Sequence, residues 1–328
     1  MRPLLHARLI NGRFGDPTVF VETLHRREAL LFDAGDLSAL STRDLLRIDH
    51  VLLTHLHMDH FIGFDALLRA NVGRSKTIRV IAPPRSGERL EHKLRAYEWD
   101  LVDGYANDLL FEVIEYGPDG PQRAARFRLK RGFVRECIDI PGCWDRIGDT
   151  SLDVAFLEHH GPCLGFALCE PAHANVWKNR LLERGLTTGA WLRTLKSAVL
   201  EGQSDHKGIR IADDDVRPLS ALRDLVTISR GQKIAYVTDV ADTPSNRAAI
   251  VKLAWGADLF FLESRFAGKD EGHARDRAHL TTKASGEIAR AANVRRYEPF
   301  HFSARYEGEE ERMLAEADAA FRSSARGV

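Results

Sequence analysis

The tightest constraint on this chain is a run of seven residues, Thr54-His55-Leu56-His57-Met58-Asp59-His60, which packs three of the chain's 14 histidines and a carboxylate into six positions. An apolar segment, Val51 to Leu53, leads into the run, and Phe61, Phe64, Leu67 and Leu68 recur behind it at helical spacing. The run is therefore expected on a loop between a strand and a helix. Alternate residues of an extended segment project to opposite sides, so two side chains can face one cation and two a second cation nearby. Imidazole nitrogens with a carboxylate suit Zn²⁺, Mn²⁺ or Fe²⁺. The competing explanation is a set of surface histidines beside a turn.

The rest of the chain alternates short strands and helices. Strands are expected at Ile78 to Ala82, Phe111 to Glu115, Leu152 to Leu157 and Leu164 to Leu168, and again at Lys233 to Thr238, Asp258 to Leu262 and Tyr297 to Phe300. Helices are expected around Asn246 to Trp255, Thr281 to Ala292 and Gly308 to Phe321. From Arg126 to Val134, Phe127, Leu129 and Phe133 alternate with Arg126, Arg128 and Lys130, which predicts a half-buried strand with a basic outer face. Residues 173–218 break the α/β pattern. The stretch is rich in Lys and Arg, with short helices expected at Asn175 to Arg184 and Ala190 to Val199. It reads as an inserted arm too short to own a core, within a single domain spanning 1–328.

Lys plus Arg number 47 and Asp plus Glu 47, so bulk positive charge is excluded as the means of holding a nucleic acid. A local patch is still open. From Trp177 to Lys196, Lys178, Arg180, Arg184, Arg193 and Lys196 face only Glu183, with Trp177 and Trp191 available for stacking. A second cluster comprises Arg123, Arg126, Arg128, Lys130, Arg131 and Arg135; charge runs of this kind are more often solvated faces. Cys137, Cys143, Cys163 and Cys169 show no CxxC spacing and read as unpaired thiols rather than a zinc site. No apolar run reaches the ~18 residues of a membrane span, and no apolar leader stands at Met1 to Gly12, so a cytoplasmic protein without a membrane partner is expected. His6, His25, His50, His92, His173, His206 and His273 match no motif and are read as surface or packing residues. Trp99, Trp144 and Trp255 are expected in the core.

Thr54 to His60 resembles the signature of the metallo-β-lactamase superfamily, and further segments resemble its ribonuclease Z branch of tRNA 3′-end endonucleases. Glu158-His159-His160-Gly161-Pro162-Cys163-Leu164-Gly165-Phe166 is similar to a family segment in which a histidine precedes a Gly-aromatic pair by six residues. Tyr236-Val237-Thr238-Asp239 resembles the strand ending in a bridging aspartate, and Asp258 to Glu263 a strand ending in a functional glutamate. His279-Leu280-Thr281 resembles a His-x-Thr helix entry, and His301-Phe302-Ser303-Ala304-Arg305-Tyr306 a terminal His-Phe-Ser-x-Arg-Tyr motif. The likeness runs from about Leu31 to Tyr306. Elsewhere Arg184 to Trp191 is similar to the family's tRNA-gripping segment, with Gly189-Ala190 in place of a Gly-Pro pair.

The resemblance implies a four-layer αββα sandwich, an α/β fold, with the helical arm inserted. It assigns His55, His57 and His159 to one divalent ion and Asp59, His60 and His301 to another, Zn²⁺ by preference, with Asp239 bridging; His160 stays open as an alternative to its neighbour His159. It implies a phosphodiesterase acting on precursor tRNA, with a hydroxide held by the two ions as nucleophile. Asp59 would orient or deprotonate that nucleophile. His279 paired with Glu263 would protonate the leaving oxygen, unless the pair is merely a helix-end salt bridge. Ser303, Arg305 and Tyr306 would contact the phosphate or else brace the metal loop from behind. Asp33 and Asp36 would orient ligand histidines. A homodimer, with one subunit's arm serving the other's site, is also implied. Other readings are a hydrolase of a small phosphodiester, lactone or sulfate ester, and a non-catalytic scaffold binding RNA or protein.

Overall fold

The computed structural model describes residues 4–24 and 27–323; His25 lies outside them. The chain divides into two compact units, Met1–Cys169 with Lys233–Val328, and Glu170–Gln232.

In the larger unit, eight strands form one sheet in chain order: β1 (Leu5–Leu9), β2 (Val19–Thr23), β3 (Ala29–Phe32), β4 (Ile48–Leu52), β5 (Lys76–Ala82), β6 (Leu109–Gly117), β7 (Gly120–Arg128) and β8 (Arg135–Ile138). β3 to β6 run parallel, and the remaining pairs are antiparallel. Then come β9 (Arg146–Ile147), β10 (Thr150–Glu158) and β11 (Pro162–Cys169). The smaller unit supplies β12 (His173–Val176), β13 (Gly208–Ala212), β14 (Asp215–Pro218) and β15 (Val226–Ser229). The chain re-enters the larger unit with β16 (Lys233–Val237), β17 (Leu259–Glu263) and β18 (Tyr297–Phe300). The second sheet has the order β18-β17-β16-β11-β10-β9, with β16, β17 and β18 parallel.

Side-chain alternation along these strands builds the layers. Phe32, Leu52, Ile81 and Ile114 of the first sheet share one cluster with Phe166, Leu168, Tyr236 and Phe300 of the second. The rings of Phe32 and Tyr236 stack at 5.0 Å. The opposite-facing Leu31, Val51, Val80 and Val113 pack with Leu45, Phe64, Leu67 and Leu90 of the helices Thr42–Arg47, Phe64–Asn71 and Ser86–Leu94. Behind the second sheet, Ala235, Val237, Phe260 and Leu262 pack with Ile250, Leu253 and Ile288 of Pro244–Ala254 and Thr282–Ala291. The unit is a four-layer αββα sandwich. Burying each of these large apolar side chains stabilises it by roughly 1.5–3 kcal/mol.

The expected strand Arg126–Val134 stops at Arg128. A 3₁₀ turn follows at Leu129–Arg131, and Gly132 and Phe133 are left-handed (φ 58° and 55°), so Leu129 and Phe133 reach the core through a turn. Trp255, expected in the core, is 58% exposed.

The smaller unit extends beyond 173–218 and has apolar packing of its own: Leu181, Trp191, Leu195, Ile209, Leu219 and Leu225 are buried together. The expected helix from Asn175 starts only at Lys178, because His173–Val176 pairs as a strand with Val226–Ser229, outside the expected bounds. Trp191 is 6% exposed, so it is a core residue rather than a stacking platform. Trp177 is half exposed, with the Arg180 guanidinium 5.6 Å above its ring.

Candidate metal centre

Five chain segments end at one edge of the sandwich. β4 runs out into His55 and His57, and a one-turn helix, Met58–Phe61, carries Asp59 and His60. The turn between β10 and β11 carries His159; β16, β17 and β18 lead into Asp239, Glu263 and His301. Asp33, Asp239 and His301 each follow a parallel strand with a left-handed backbone, at φ 54°, 48° and 60°. Asp, Asn and His tolerate that conformation better than most residues, but it still costs of order 1 kcal/mol, and such strain gathers where function demands it. Glycine fixes the approach of the turn after β3 to the helix Met58–Phe61. A Cβ on Gly63 would lie 1.9 Å from Gly35 O, and one on Gly35 would lie 2.5 Å from Asp59 O.

Asp239 is the hub. Its Oδ2 lies 3.5 Å from His55 Nε2, 3.4 Å from His60 Nε2 and 3.8 Å from His159 Nε2, while its Oδ1 is 2.8 Å from His301 Nδ1. Asp59 Oδ2 lies 3.7 Å from His60 Nε2 and 3.6 Å from His301 Nε2. His57 stands at the exposed rim, its ring 4.3 Å from that of His55. Donor atoms of His55, His57, His159 and Asp239 fall within 4.8 Å of one another, as do those of Asp59, His60 and His301. His160 is exposed, its ring 4.5 Å from that of His159 and tilted by 60°, outside these groups.

Around the hub, other groups aim the rings. Buried Asp33 accepts from Thr54 N at 2.7 Å, from the Thr54 hydroxyl, from His60 Nδ1 at 2.9 Å and from Tyr236 Oη at 2.9 Å. That bond turns His60 Nε2 towards Asp239. Asp36, by contrast, accepts from Ser38 N at an exposed turn and bonds no histidine among the described residues. His159 Nδ1 donates to Ala278 O at 2.8 Å, which leaves its Nε2 free to accept. The Tyr236 hydroxyl sits in an apolar strand pattern that carries no sign of its reach to Asp33.

These residues fit divalent cations. His55 Nε2 and His60 Nε2 are buried with no hydrogen-bond partner among the described residues, an arrangement that costs roughly 1–3 kcal/mol per group unless a cation accepts the lone pair. Burial, together with neighbouring imidazoles, lowers the pKa of His55, and burial also lowers those of His57 and His159, favouring the neutral form that coordinates metals. For His60 burial opposes charge, but Asp239 and Asp33 raise it well above the usual imidazole range. Asp239 stays ionised despite its burial because His301 and His60 hold its carboxyl well below the usual range.

Glu263 and His279 form a second buried pair, with His279 Nδ1 2.8 Å from Glu263 Oε2. Glu263 Oε1 accepts from Val240 N at 2.8 Å, so this carboxylate is engaged on both oxygens. Burial penalises the charged His279 ring, yet Glu263 raises its pKa overall. Among the terminal motif residues, Tyr306 is buried, and its hydroxyl donates to Asp270 and accepts from Ala267 N. The Arg305 guanidinium lies over Phe266 and donates to His273 at 3.2 Å; Ser303 N donates to Arg265 O. These contacts brace the loop and leave Tyr306 turned inward. A residue the motifs did not flag stands closer: the Arg265 guanidinium donates to His301 Nε2, beside Asp59. None of the cysteines joins a candidate metal group among the described residues.

Fold and site together define a metal-dependent hydrolase of the metallo-β-lactamase superfamily, and a family model described as "Beta-lactamase superfamily domain" matches residues 30–130. The architecture is similar to that of the metallo-β-lactamase fold protein YhfI from Bacillus subtilis (TM-score 0.55, 15% identity, 96% of this chain and 92% of that one). It is also similar to human tRNase Z, short form (TM-score 0.52, 17% identity, 92% and 91%). In sequence the chain is 31% identical to a ribonuclease Z of Deinococcus radiodurans over 303 residues, 89% of this chain and 88% of the relative. It is 28% identical to a ribonuclease Z of Treponema pallidum, over 90% and 84%. This chain belongs to the ribonuclease Z family.

Proposed function

We propose that this chain is a binuclear, zinc-dependent endoribonuclease that cuts precursor tRNA at its 3′ end. The observation that carries the reading is the convergence of His55, His57, Asp59, His60, His159, Asp239 and His301 at one sheet edge in a ribonuclease Z family chain. His55, His57 and His159 would hold one cation and Asp59, His60 and His301 the other, with Asp239 between them. When bound, the two cations supply Lewis acidity to the phosphodiester and make water acidic enough to attack near neutral pH. Asp59 is kept ionised: burial opposes this, but His301, 3.6 Å away, and the charge of His60 hold its carboxyl well below the usual range. It would accept a hydrogen bond from the attacking water and orient it. The His279 imidazolium, held by Glu263, would give its proton to the leaving oxygen. A homodimer and a cytoplasmic setting belong to the same reading and rest on the family. Among the described residues no helix is long and apolar enough to cross a membrane.

The smaller unit favours a second reading, a hydrolase of a small phosphodiester, lactone or sulfate ester. There Trp191 is buried, Arg184 pairs with Asp224, and Arg180 donates to Asp224 O at 2.6 Å, so part of the expected RNA-gripping surface is engaged internally. Incubation with precursor tRNA and, separately, with small phosphodiesters and lactones decides between them, metal content being measured alongside. Endonucleolytic cleavage at the tRNA 3′ end supports the first reading; turnover of small esters alone supports the second.

A further inference from the structure

A cavity of about 490 Å³ opens beside the candidate centre, within the range of roughly 300–1,000 Å³ usual for small-ligand sites. One wall is the centre itself: His55, His57, His159 and the exposed His160. Arg85 and Arg89 stand in the other wall, and no carboxylate lines the cavity. The turn that presents Arg85 is pinned. Arg85 has φ 70°, the Ser86 hydroxyl donates to Pro83 O at 2.6 Å, and Gly87 N donates to Glu115 Oε1 at 2.9 Å. Glu115 thus takes a first-turn amide of the helix Ser86–Leu94, so an anion in the cavity would be met by side chains.

Both guanidiniums are available. Arg85 lies 3.8 Å from Glu88 with both side chains largely exposed (75% and 49%), a pairing worth at most about 1 kcal/mol. Arg89 is exposed and has no hydrogen bond or ion pair among the described residues. The other basic cluster differs. Arg126 pairs with Glu112 at 2.7 Å, Arg128 with Asp108 at 3.6 Å and Arg135 with Glu91 at 3.6 Å.

We propose that Arg85 and Arg89 form a phosphate subsite that binds the nucleotide next to the scissile bond of an RNA substrate. The inference rests on the endoribonuclease reading and adds to it. A small diester has one phosphate, which the metal centre takes. A pair of guanidiniums, sharing a carboxylate-free cavity with that centre, serves a substrate carrying another phosphate one linkage away. Guanidinium forks match phosphate oxygens in pairs.

The test compares the metal-loaded wild type with the Arg85→Ala/Arg89→Ala double variant on an RNA bearing a single-stranded 3′ trailer and on bis(p-nitrophenyl) phosphate. The RNA KM is expected to rise about 10-fold, with the dependence of log KM on log salt flattened by about 0.7 per lost contact. The values of kcat, metal content and small-diester turnover are expected to stay at wild-type levels. Arg85→Lys/Arg89→Lys is expected to restore part of the RNA affinity. An unchanged KM and salt slope, or equal damage to both substrates, overturns the subsite. Should wild type leave RNA uncut, the endoribonuclease reading falls and the subsite is judged by inhibition of small-diester turnover. A nucleoside 3′,5′-bisphosphate inhibiting better than the monophosphate in wild type but not in the double variant supports it; equal inhibition in wild type overturns it.

Discussion

At the metal edge of the sandwich, Asp33 accepts from four donors, both oxygens of Glu263 are engaged, and Asp239, with a left-handed backbone, faces four imidazoles. In the unit Glu170–Gln232, Lys178 and Arg193 are exposed and have no ion pair among the described residues, and Trp177 is half exposed with one cation above it. The first region is over-determined: the rings of His60, His159 and His279 are each held by a second group. The second spends its buried residues on a small core, ties Arg184 to Asp224, and leaves Lys178 and Arg193 exposed. On the proposed reading, reaction chemistry would belong to the first region and substrate choice to the second.

The contrast is broken most forcefully at its hub. Asp239→Ala is expected to lose bound metal and to lower kcat/KM about 10³-fold or more, a loss of about 4 kcal/mol in transition-state stabilisation; metal analysis and rates on any cleaved substrate check both halves. His279→Ala is expected to keep its metal while kcat falls about 10²–10³-fold, most for poor leaving groups; an unchanged rate would leave Glu263–His279 as a salt bridge only. Removing the smaller unit separates chemistry from substrate. Cys169 and Lys233 are direct cross-strand partners in β11 and β16, so an Asn-Gly turn can replace Glu170–Gln232 and close a hairpin. Such a protein is expected to cut RNA about 100-fold less well while hydrolysing a small diester within about 2-fold of wild type. Equal loss of both would show that the unit is only structural. Arg265→Ala frees His301 Nε2 and is expected to tighten the weaker of two zinc-binding steps about 10-fold by calorimetry. Arg126→Ala, in the neutralised cluster, is expected to leave the RNA KM within about 2-fold; a larger rise would return that face to the substrate path.

Much of the fold was legible because its parallel strands are buried on both faces and so read as continuous apolar runs, as in Leu259 to Leu262. The histidine cluster was legible because four candidate ligands lie on one loop, so local spacing carries the geometry. What stayed hidden depends on residues distant in sequence. Asp33 and Asp36 look alike in the chain, and only burial beneath β4 and β16 separates the hydrogen-bonded hub from the exposed turn. Arg265 meets His301 because β17 and β18 end side by side. The charge count at Arg123 to Arg135 missed Glu112, Asp108 and Glu91, which lie outside that stretch, and the extent of the smaller unit was missed because the partner of β12 lies beyond residue 218.

On the proposed reading, one pair of divalent cations would be held by three histidines on one side of Asp239 and by Asp59, His60 and His301 on the other. Anomalous diffraction at the zinc edge from zinc-loaded crystals tests it most directly. The account predicts two peaks flanking the Asp239 carboxylate, the one on the His55 side vanishing in a His55→Ala/His57→Ala variant. A single peak, or peaks bound by other residues, would contradict it.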